Sequence, residues 1–532
     1  MITRLLVTNY RSLQSFEFKP DEKLNILVGD NDAGKSTILE VIALTLCGRI
    51  KGHWAADDLN PHWFNHKSVE AFFDELEAGN SPSAPEISIE LYLSTTTKGA
   101  ERLRGIHNSR NEDTPGISIH VKPDPDHATE LTEYLAQDDI PRLIPTELYM
   151  VEWRDFADGK LTRQPAGLGH TVIDASNTGS YSGVDFKMRQ LLKDFVTTKE
   201  SAQISLAYRQ ARATITEGVL KEVDGRIAEE GNSFGVGLQM DQSSSASWET
   251  AVTPHIEKVP FALLGQGKQV ATKVALAMSR NSDRNQFVLV EEPENHLSHS
   301  NLQELIAQIA SLAGSRQIFI TTHSSFVLNR LGFDHLYLMG EHGPKGLDTE
   351  LVTDDTIKYF QRQSGYDTLR LAIAKKAVVV EGPSDEMIFN KAYKLIKGIE
   401  PRESGIDVVT LGTRGKRALE LAHALNKRIA VLRDNDGKEP EYWKSAAVTY
   451  LEVGRREMFI GSVATGRTLE PQMLSVNSAA TLRIVLGLDN DVDVADYMEN
   501  NKTDSAWKIV NSTTSLEWPV YIKEAIEFIS AE

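Results

Sequence analysis

Short, largely apolar runs, each followed within two residues by glycine, threonine or an acid, recur along this chain and predict buried parallel strands. They are Leu24–Val28, Phe287–Val290, Gln317–Ile320, Lys376–Val380, Asp407–Leu411 and Arg428–Leu432. A different pattern, apolar residues at Ile87, Ile89, Leu91 and Leu93, predicts an alternating strand after the break at Ser81-Pro82-Ser83-Ala84-Pro85. Met188, Leu191, Leu192 and Phe195 fall at i, i+3, i+4 and i+7, one face of a helix, and a second helix is expected near Leu220, Val223 and Ile227. That helical segment interrupts the strands. Its apolar face would either pack on the parent domain or form a dimer interface. Asp241–Ser247 reads as a polar loop, and no internal repeat is visible.

The chain has 532 residues, enough for two or three domains with full cores. Its 41% hydrophobic and 25% charged residues are ordinary globular values, and no apolar run approaches the roughly 18 residues of a membrane span. Met1-Ile2-Thr3-Arg4-Leu5-Leu6 lacks the apolar core of a secretory signal, so no membrane partner is expected and the cytoplasm is the expected location. The single cysteine, Cys47, allows neither an internal disulfide nor a cysteine zinc site. A net charge of −18 means that any nucleic acid must be held by local basic patches or by metal ions on acidic ligands.

The chemistry is concentrated at the strand ends. Gly29-Asp30-Asn31-Asp32-Ala33-Gly34-Lys35-Ser36, between a strand and a helix, is a phosphate cradle: Gly29 and Gly34 let backbone N–H groups turn inward, Lys35 reaches the terminal phosphates and Ser36 offers its hydroxyl to Mg²⁺. Asn31 and Thr37 belong to the same expected nucleotide site. Far downstream, Phe287–Val290 presents Glu291, to hold Mg²⁺ through water, and Glu292, to orient and deprotonate the attacking water. Gln317–Ile320 runs into Thr321-Thr322-His323-Ser324, which places His323 where it could touch a γ-phosphate.

A second set of strand ends carries Glu381-Gly382-Pro383-Ser384-Asp385 and Asp434-Asn435-Asp436. In an open parallel sheet these ends share one crevice. Carboxylates so crowded repel one another unless divalent metal binds, so Glu381, Asp385, Asp434 and Asp436 predict Mg²⁺ or Mn²⁺. Arg414, Lys416, Arg417, Lys427 and Arg428 flank the crevice, either as a grip on a DNA backbone or as a plain solvated face.

These residues carry a resemblance. Gly29–Ser36, Val290–Leu297 and Thr321–Ser324 resemble the Walker A, Walker B with D-loop and His-switch of ABC-type ATPases of the SMC and RecF kind. The resemblance implies a signature loop supplied by a second subunit. Leu264-Gly265-Gln266-Gly267-Lys268-Gln269 is the candidate, with Gly267 as its nucleotide contact, although Gly265 and Gln266 depart from the usual L-S-G-G-Q/E. The E-G-x-x-D and D-x-D pattern resembles the Toprim domain. The two together resemble the OLD (overcoming lysogenisation defect) family nucleases, which include the Gabija nuclease subunit. By the same resemblance Glu470, in Thr468-Leu469-Glu470, joins the metal ligands, and Lys502 is the catalytic lysine.

The expected fold is α/β: an ABC-type ATPase domain (1–175 and 241–345) with a helical dimerisation insertion (176–240), a linker (346–375) and a Toprim, Rossmann-like parallel-sheet domain (376–532). The expected function is ATP-regulated, divalent-metal-dependent DNA endonuclease, cleaving by a two-metal Toprim site, in a homodimer or larger assembly and in antiviral defence. Glu292, Glu381, Asp434 and Lys502 are its expected catalytic residues, ATP and Mg²⁺ its cofactors. A helicase-like or reverse-transcriptase-associated partner is compatible with the family. The competing expectation is an ATPase that clamps DNA or senses its state, with a non-cleaving Toprim module.

Overall fold

The computed structural model describes residues 1–531 except 30–32, 51, 138, 175–195, 230–236, 242, 244–247, 266, 270, 273–274, 276–285, 296–298, 313–315, 325–326, 328–330, 332–334, 340–342, 347–350 and 363–365. The chain divides into two compact units, residues 1–165 with 319–532, and residues 166–318. Each is an α/β assembly. Among the described residues no helix is long and apolar enough to cross a membrane.

In the first unit the N-terminal part builds an antiparallel sheet in which Ile2–Tyr10 lies between Leu13–Phe18 and Ile87–Leu93, followed by Thr114–Pro123 and Tyr149–Asp155. Ile87–Leu93 is buried on both faces rather than on alternate residues. Glu90 is what allows this: its carboxylate accepts from Ser109 N (2.7 Å), Ser109 Oγ (2.6 Å) and Tyr92 Oη (2.8 Å), so its polar end is satisfied inside. Leu24–Val28 is wholly buried and pairs in parallel with Leu336–Leu338. Helix Lys35–Cys47 follows the phosphate loop, buries Ile38, Leu39, Val41 and Ile42, and stops at Gly48, whose left-handed conformation ends it.

The C-terminal part of this unit is a four-stranded sheet in the order Ile406–Thr410, Lys376–Val380, Arg428–Arg433, Arg456–Ile460, with every neighbouring pair parallel. The strands are apolar because helices cover them; Ile388, Phe389, Trp518, Ile522 and Ile526 pack on Val378, Val380, Ala430 and Leu432. The chain leaves Lys376–Val380 to one side for Ile406–Thr410, then returns to the other for Arg428–Arg433. That reversal opens a crevice at the C-terminal strand ends.

The stretch expected as a plain connector is helical, at Asp354–Arg362 and Tyr366–Ile373. Buried Glu420 accepts from Thr353 N at 2.5 Å and Thr356 Oγ1 at 2.8 Å, which ties the first of these helices to helix Gly415–Ala424.

In the second unit His170–Asp174 pairs in parallel with Phe287–Glu291. Helix Thr198–Ile215 begins with a capping box between Thr197 and Glu200 and continues through a π turn, Thr216–Leu220, into Lys221–Glu229. This is the expected second helix. Met188, Leu191, Leu192 and Phe195 lie outside the described residues. Ile204, Leu206, Ile215 and Val219 are exposed along the described part.

Candidate active site

Two sets of expected site residues can be followed. In the phosphate loop Gly34 takes φ 85°, and a Cβ there would meet Ser12 Oγ at 2.9 Å and Leu13 Cδ2 at 3.2 Å, so both conformation and space require glycine. Gly29 lies at the end of the buried strand. Lys35 is buried, and its Nζ donates to Gly29 O at 2.9 Å, across the loop that would receive a phosphate. Ser36 is exposed and Thr37 half-buried on the first helical turn; Asn31 lies outside the described residues. His323 follows the buried Thr321 and Thr322, whose turn is fixed by Ser324 N donating to Thr322 Oγ1 at 2.9 Å.

In the second unit Glu291 ends the strand and Glu292 takes φ 41°, a left-handed conformation that is costly for a residue with a side chain. Asn295 holds it there, with N on Glu292 O at 3.0 Å and Nδ2 on Glu292 Oε2 at 2.7 Å. Strain of this kind, at the carboxylate expected to activate water, is the sort found at functional positions. Gly267 lies in a helical turn opened by Gly265, with Lys268 N and Gln269 N both on Gly265 O. Lys268 pairs with Glu257 at 2.9 Å. Gln266, His296 and Leu297 are outside the described residues.

The crevice of the parallel sheet collects the other set. Glu381 and Asp434 follow adjacent strands, Lys376–Val380 and Arg428–Arg433. Asp385 sits in the first turn of helix Pro383–Lys397 and accepts from Gly382 N at 3.0 Å, a capping contact that also turns its carboxylate to the crevice. Glu470 is buried on helix Leu469–Val476, and accepts from Thr468 Oγ1 at 2.7 Å and from Lys502 Nζ at 3.1 Å. Lys502 opens helix Lys502–Asn511.

The charges act on one another. Burial, reinforced by the charges of Asp385, Glu381 and Glu470, pushes Asp434 up to about 8 against the pull of Lys502. Burial, against the pull of Arg433 and with Asp436 and Asp385 adding to it, pushes Glu381 up to about 7. Burial and the charge of Glu470 push Asp385 up to about 6, against the Gly382 N–H. Burial tends to lower the Lys502 ammonium, but Glu470, Asp434 and Asp385 outweigh it and raise its pKa. Tyr521, in the C-terminal helix, is pushed well above its ordinary value by burial and by the charges of the same acids, Asp385, Asp434, Glu470 and Glu381.

The donor chemistry of these residues suits a divalent metal. The donors are hard oxygens, and Glu381 Oε1 is buried with no hydrogen-bond partner. Among the described residues, however, no three His, Cys, Asp or Glu side chains stand as a ready-made metal cage. The acids are instead divided between two cations, Glu470 on Lys502 and Asp436 with Glu381 on Arg433.

The loop after Asp434 is fixed by residues that spacing alone did not single out. Asn435 is 1% exposed; its Nδ2 donates to Gly461 O (3.0 Å) and Gly466 O (2.7 Å), and its Oδ1 accepts from Gly437 N (2.8 Å). Gln472 Nε2 donates to Ser462 O and Gly466 O, both at 2.7 Å. Asn435 and Gln472 thus join the loop bearing Asp434 to the one leading to Glu470. The middle position of D-x-D was the only hint in the sequence.

The flanking basic cluster needs correction. Arg428 donates to Phe528 O (2.7 Å) and Ala531 O (2.6 Å), closing the end of the C-terminal helix. Arg417 donates to Asp355 O (2.7 Å), and Lys427 to Ile373 O (3.4 Å). These three serve the fold, which leaves Arg414 and Lys416 exposed.

Residues 1–95 match the family model for the AAA ATPase domain, residues 218–329 match a second AAA domain model, and residues 373–436 match the TOPRIM domain of overcoming lysogenization defect protein-like proteins. The chain therefore combines an AAA-type ATPase region with an OLD-like Toprim domain. The DNA replication and repair protein RecF of Syntrophotalea carbinolica is 43% identical over 44 residues, 8% of this chain, and the chain spans 12% of that relative's length. Among solved structures, the Smc head bound to the C-winged helix domain of ScpA covers 65% of this chain and 96% of its own (TM-score 0.36, 14% identity). The C-terminal region of the Xanthomonas campestris pv. campestris OLD protein covers 30% and 94% (TM-score 0.24, 18% identity).

Proposed function

We propose that this chain is an ATP-regulated, divalent-metal-dependent DNA endonuclease, acting as a homodimer or larger assembly in defence against phage, as in the OLD nucleases that include the Gabija nuclease subunit. The observation that carries the reading is the crevice: Glu381 and Asp434, at the ends of adjacent parallel strands, are pushed up to about 7 and about 8 and share the space with Asp385, Glu470 and Lys502. Acids held so far from their ordinary range by burial and by one another's charge, in a cleft with a lysine beside them, make a candidate functional site.

Glu381, Asp385, Asp434, Asp436 and Glu470 would hold Mg²⁺ or Mn²⁺, with two ions in the arrangement expected from the sequence. Metal there supplies an activated water and neutralises the phosphodiester oxygens. Lys502, released from Glu470, meets the negative charge that develops on the phosphate. Burial of the carboxylates keeps bulk water from screening these charges.

Nucleotide would bind at Gly29–Thr37, with Ser36 on its Mg²⁺, Glu291 and Glu292 serving hydrolysis, His323 reading the γ-phosphate and Gly267 contributed by a second chain. The strain at Glu292 supports that assignment. One observation favours the competing reading, a DNA clamp or sensor that does not cleave: the acids are parted between Lys502 and Arg433 rather than caged.

Plasmid cleavage, ATP turnover and melting temperature on Glu381→Ala and Asp434→Ala decide between the readings. Loss of cleavage by orders of magnitude with ATP turnover intact is the expected result. Cleavage surviving in both folded variants overturns the nuclease centre.

A further inference from the structure

We propose that Tyr442, backed by Trp443 and flanked by Lys438 and Arg467, is a stacking platform beside the crevice that holds one unstacked base of a DNA strand. The inference rests on the DNA-cleaving reading above and names its substrate class, DNA with unpaired bases.

Tyr442 is a large aromatic residue left 53% exposed. It lies on the short helix Pro440–Ala446, which follows the loop after Asp434. Its neighbour Trp443 is fixed: Nε1 donates to Asn435 O at 3.0 Å, and the Arg433 guanidinium carbon lies 3.5 Å from the ring centroid. The Tyr442 and Trp443 rings meet edge to face, with centroids 5.1 Å apart and planes at 87°. Arg433, on which Trp443 stacks, reaches to 3.7 Å from Glu381 Oε1. Two side chains therefore stand between the exposed ring and the crevice.

Lys438 Nζ lies 3.9 Å from the Tyr442 ring centroid and 5.2 Å from that of Trp443. Its hydrogen bond and its charge also draw the Tyr442 hydroxyl below its ordinary pKa. The lysine stem is flexible, so the ammonium can turn to a phosphate when a base takes its place on the ring. Arg467 is exposed and lies against Gly437, where a Cβ would meet its Nε at 3.2 Å. Exposed Glu439 and Glu441 offset these two charges. An electrostatic grip on phosphates is weak in such a place, and the ring has to supply the affinity. A base inside a duplex is already stacked on its neighbours, which restricts the platform to unpaired DNA.

Binding of the full-length chain to a short DNA single strand carrying 2-aminopurine, and to a blunt DNA hairpin, tests this, with Ca²⁺ in place of Mg²⁺ or Mn²⁺. Tyr442→Ala should weaken single-strand binding by about tenfold and abolish the fall in 2-aminopurine emission that stacking produces. Its hairpin affinity and melting temperature should match wild type. Tyr442→Phe, which keeps the ring, should bind both as wild type does. If Tyr442→Ala does not fold, Tyr442→Leu, apolar but without a π face, replaces it. Unchanged single-strand affinity, an equal loss on both DNAs, or tighter Tyr442-dependent binding of the same strand made as RNA overturns the proposal. Plasmid cleavage by wild type with Mn²⁺ judges the nuclease reading separately: Tyr442-dependent binding without cleavage overturns that reading and leaves the platform, and cleavage without a Tyr442 effect does the reverse.

Discussion

Lys502 Nζ stands 3.1 Å from Glu470 Oε2 even though Lys502 opens its helix, where the positive end of the helix dipole disfavours a cation. The ion pair offsets a local electrostatic cost, and breaking a local rule in a cleft is what a functional constraint looks like. The lysine brings its charge to a crevice otherwise lined by carboxylates.

Removing Lys502 should therefore damage chemistry and spare the fold. Lys502→Ala is expected to lower DNA cleavage by about 100-fold or more. A half-exposed ion pair contributes about 1 kcal/mol or less, so the melting temperature should move by only a few degrees. ATP turnover should be unchanged. Cleavage, turnover and melting measured side by side check this, and a Lys502→Ala enzyme that cuts normally removes the lysine from the mechanism.

The raised acids give a pH prediction. Asp385, Glu381 and Asp434, at about 6, 7 and 8, all lie above their unfolded values near 4. Their contribution to stability is thus complete below about pH 4 and is lost as pH rises through 6 to 8. Metal-free protein should melt at progressively lower temperature across that window. Mn²⁺ should reverse the loss, because binding displaces the protons, and its apparent affinity should rise with pH over the same range. Differential scanning calorimetry at pH 5.5 and 8, with and without Mn²⁺, is the measurement; a metal-free melting temperature that increases with pH from these groups contradicts the assignment.

Much of this was legible in the sequence because the chemistry sits at strand ends. Apolar runs such as Lys376–Val380 and Arg428–Leu432 mark buried strands, and the first acid after each lies where a parallel sheet displays its function, so Glu381 and Asp434 could be found without coordinates. Ile87–Leu93 misled, since its alternation hides a satisfied Glu90. Arg433 and Asn435 escaped because their roles depend on partners far away in the chain or across it, Glu381 for one and Gly461 for the other. Arg417, Lys427 and Arg428 drew attention as charges; the carbonyls they cap are invisible in a linear reading.

The ATPase assignments separate binding from hydrolysis. Lys35→Ala should weaken ATP binding, whereas Glu292→Gln, in which the amide can still meet Asn295, should bind ATP and lose turnover by at least about 100-fold. Equilibrium ATP binding and steady-state hydrolysis on both variants check the split. Rapid hydrolysis by Glu292→Gln would show that another group activates the water.

Shared sites predict complementation. Gly267→Glu places a carboxylate in the expected γ-phosphate contact and should stop turnover while leaving binding at Gly29–Thr37 intact. Mixed with Lys35→Ala chains it should regain part of the activity, since one composite site in the hybrid is intact. No recovery in mixtures shown to exchange subunits favours a site made by one chain.

Asn435 offers the sharpest test of how the crevice is held together. Its amide donates to two carbonyls, Gly461 O and Gly466 O, while its own oxygen takes the Gly437 N–H. Asn435→Asp keeps size and the accepting oxygen but turns the donor into a second anion facing two carbonyl oxygens, beside Asp434 and Asp436. Leaving buried polar groups unpaired costs about 1–3 kcal/mol each, so a loss of about 3 kcal/mol and several degrees of melting temperature is expected. The functional effect should exceed the structural one, because the loops bearing Asp434 and Glu470 would lose their common anchor. Mn²⁺ affinity should fall at least about tenfold in protein that remains folded, with ATP turnover retained. Asn435→Ala, which removes the donor without adding charge, should fall between wild type and Asn435→Asp in both measurements. Wild-type metal affinity in folded Asn435→Asp would show that the two loops find their register without this residue.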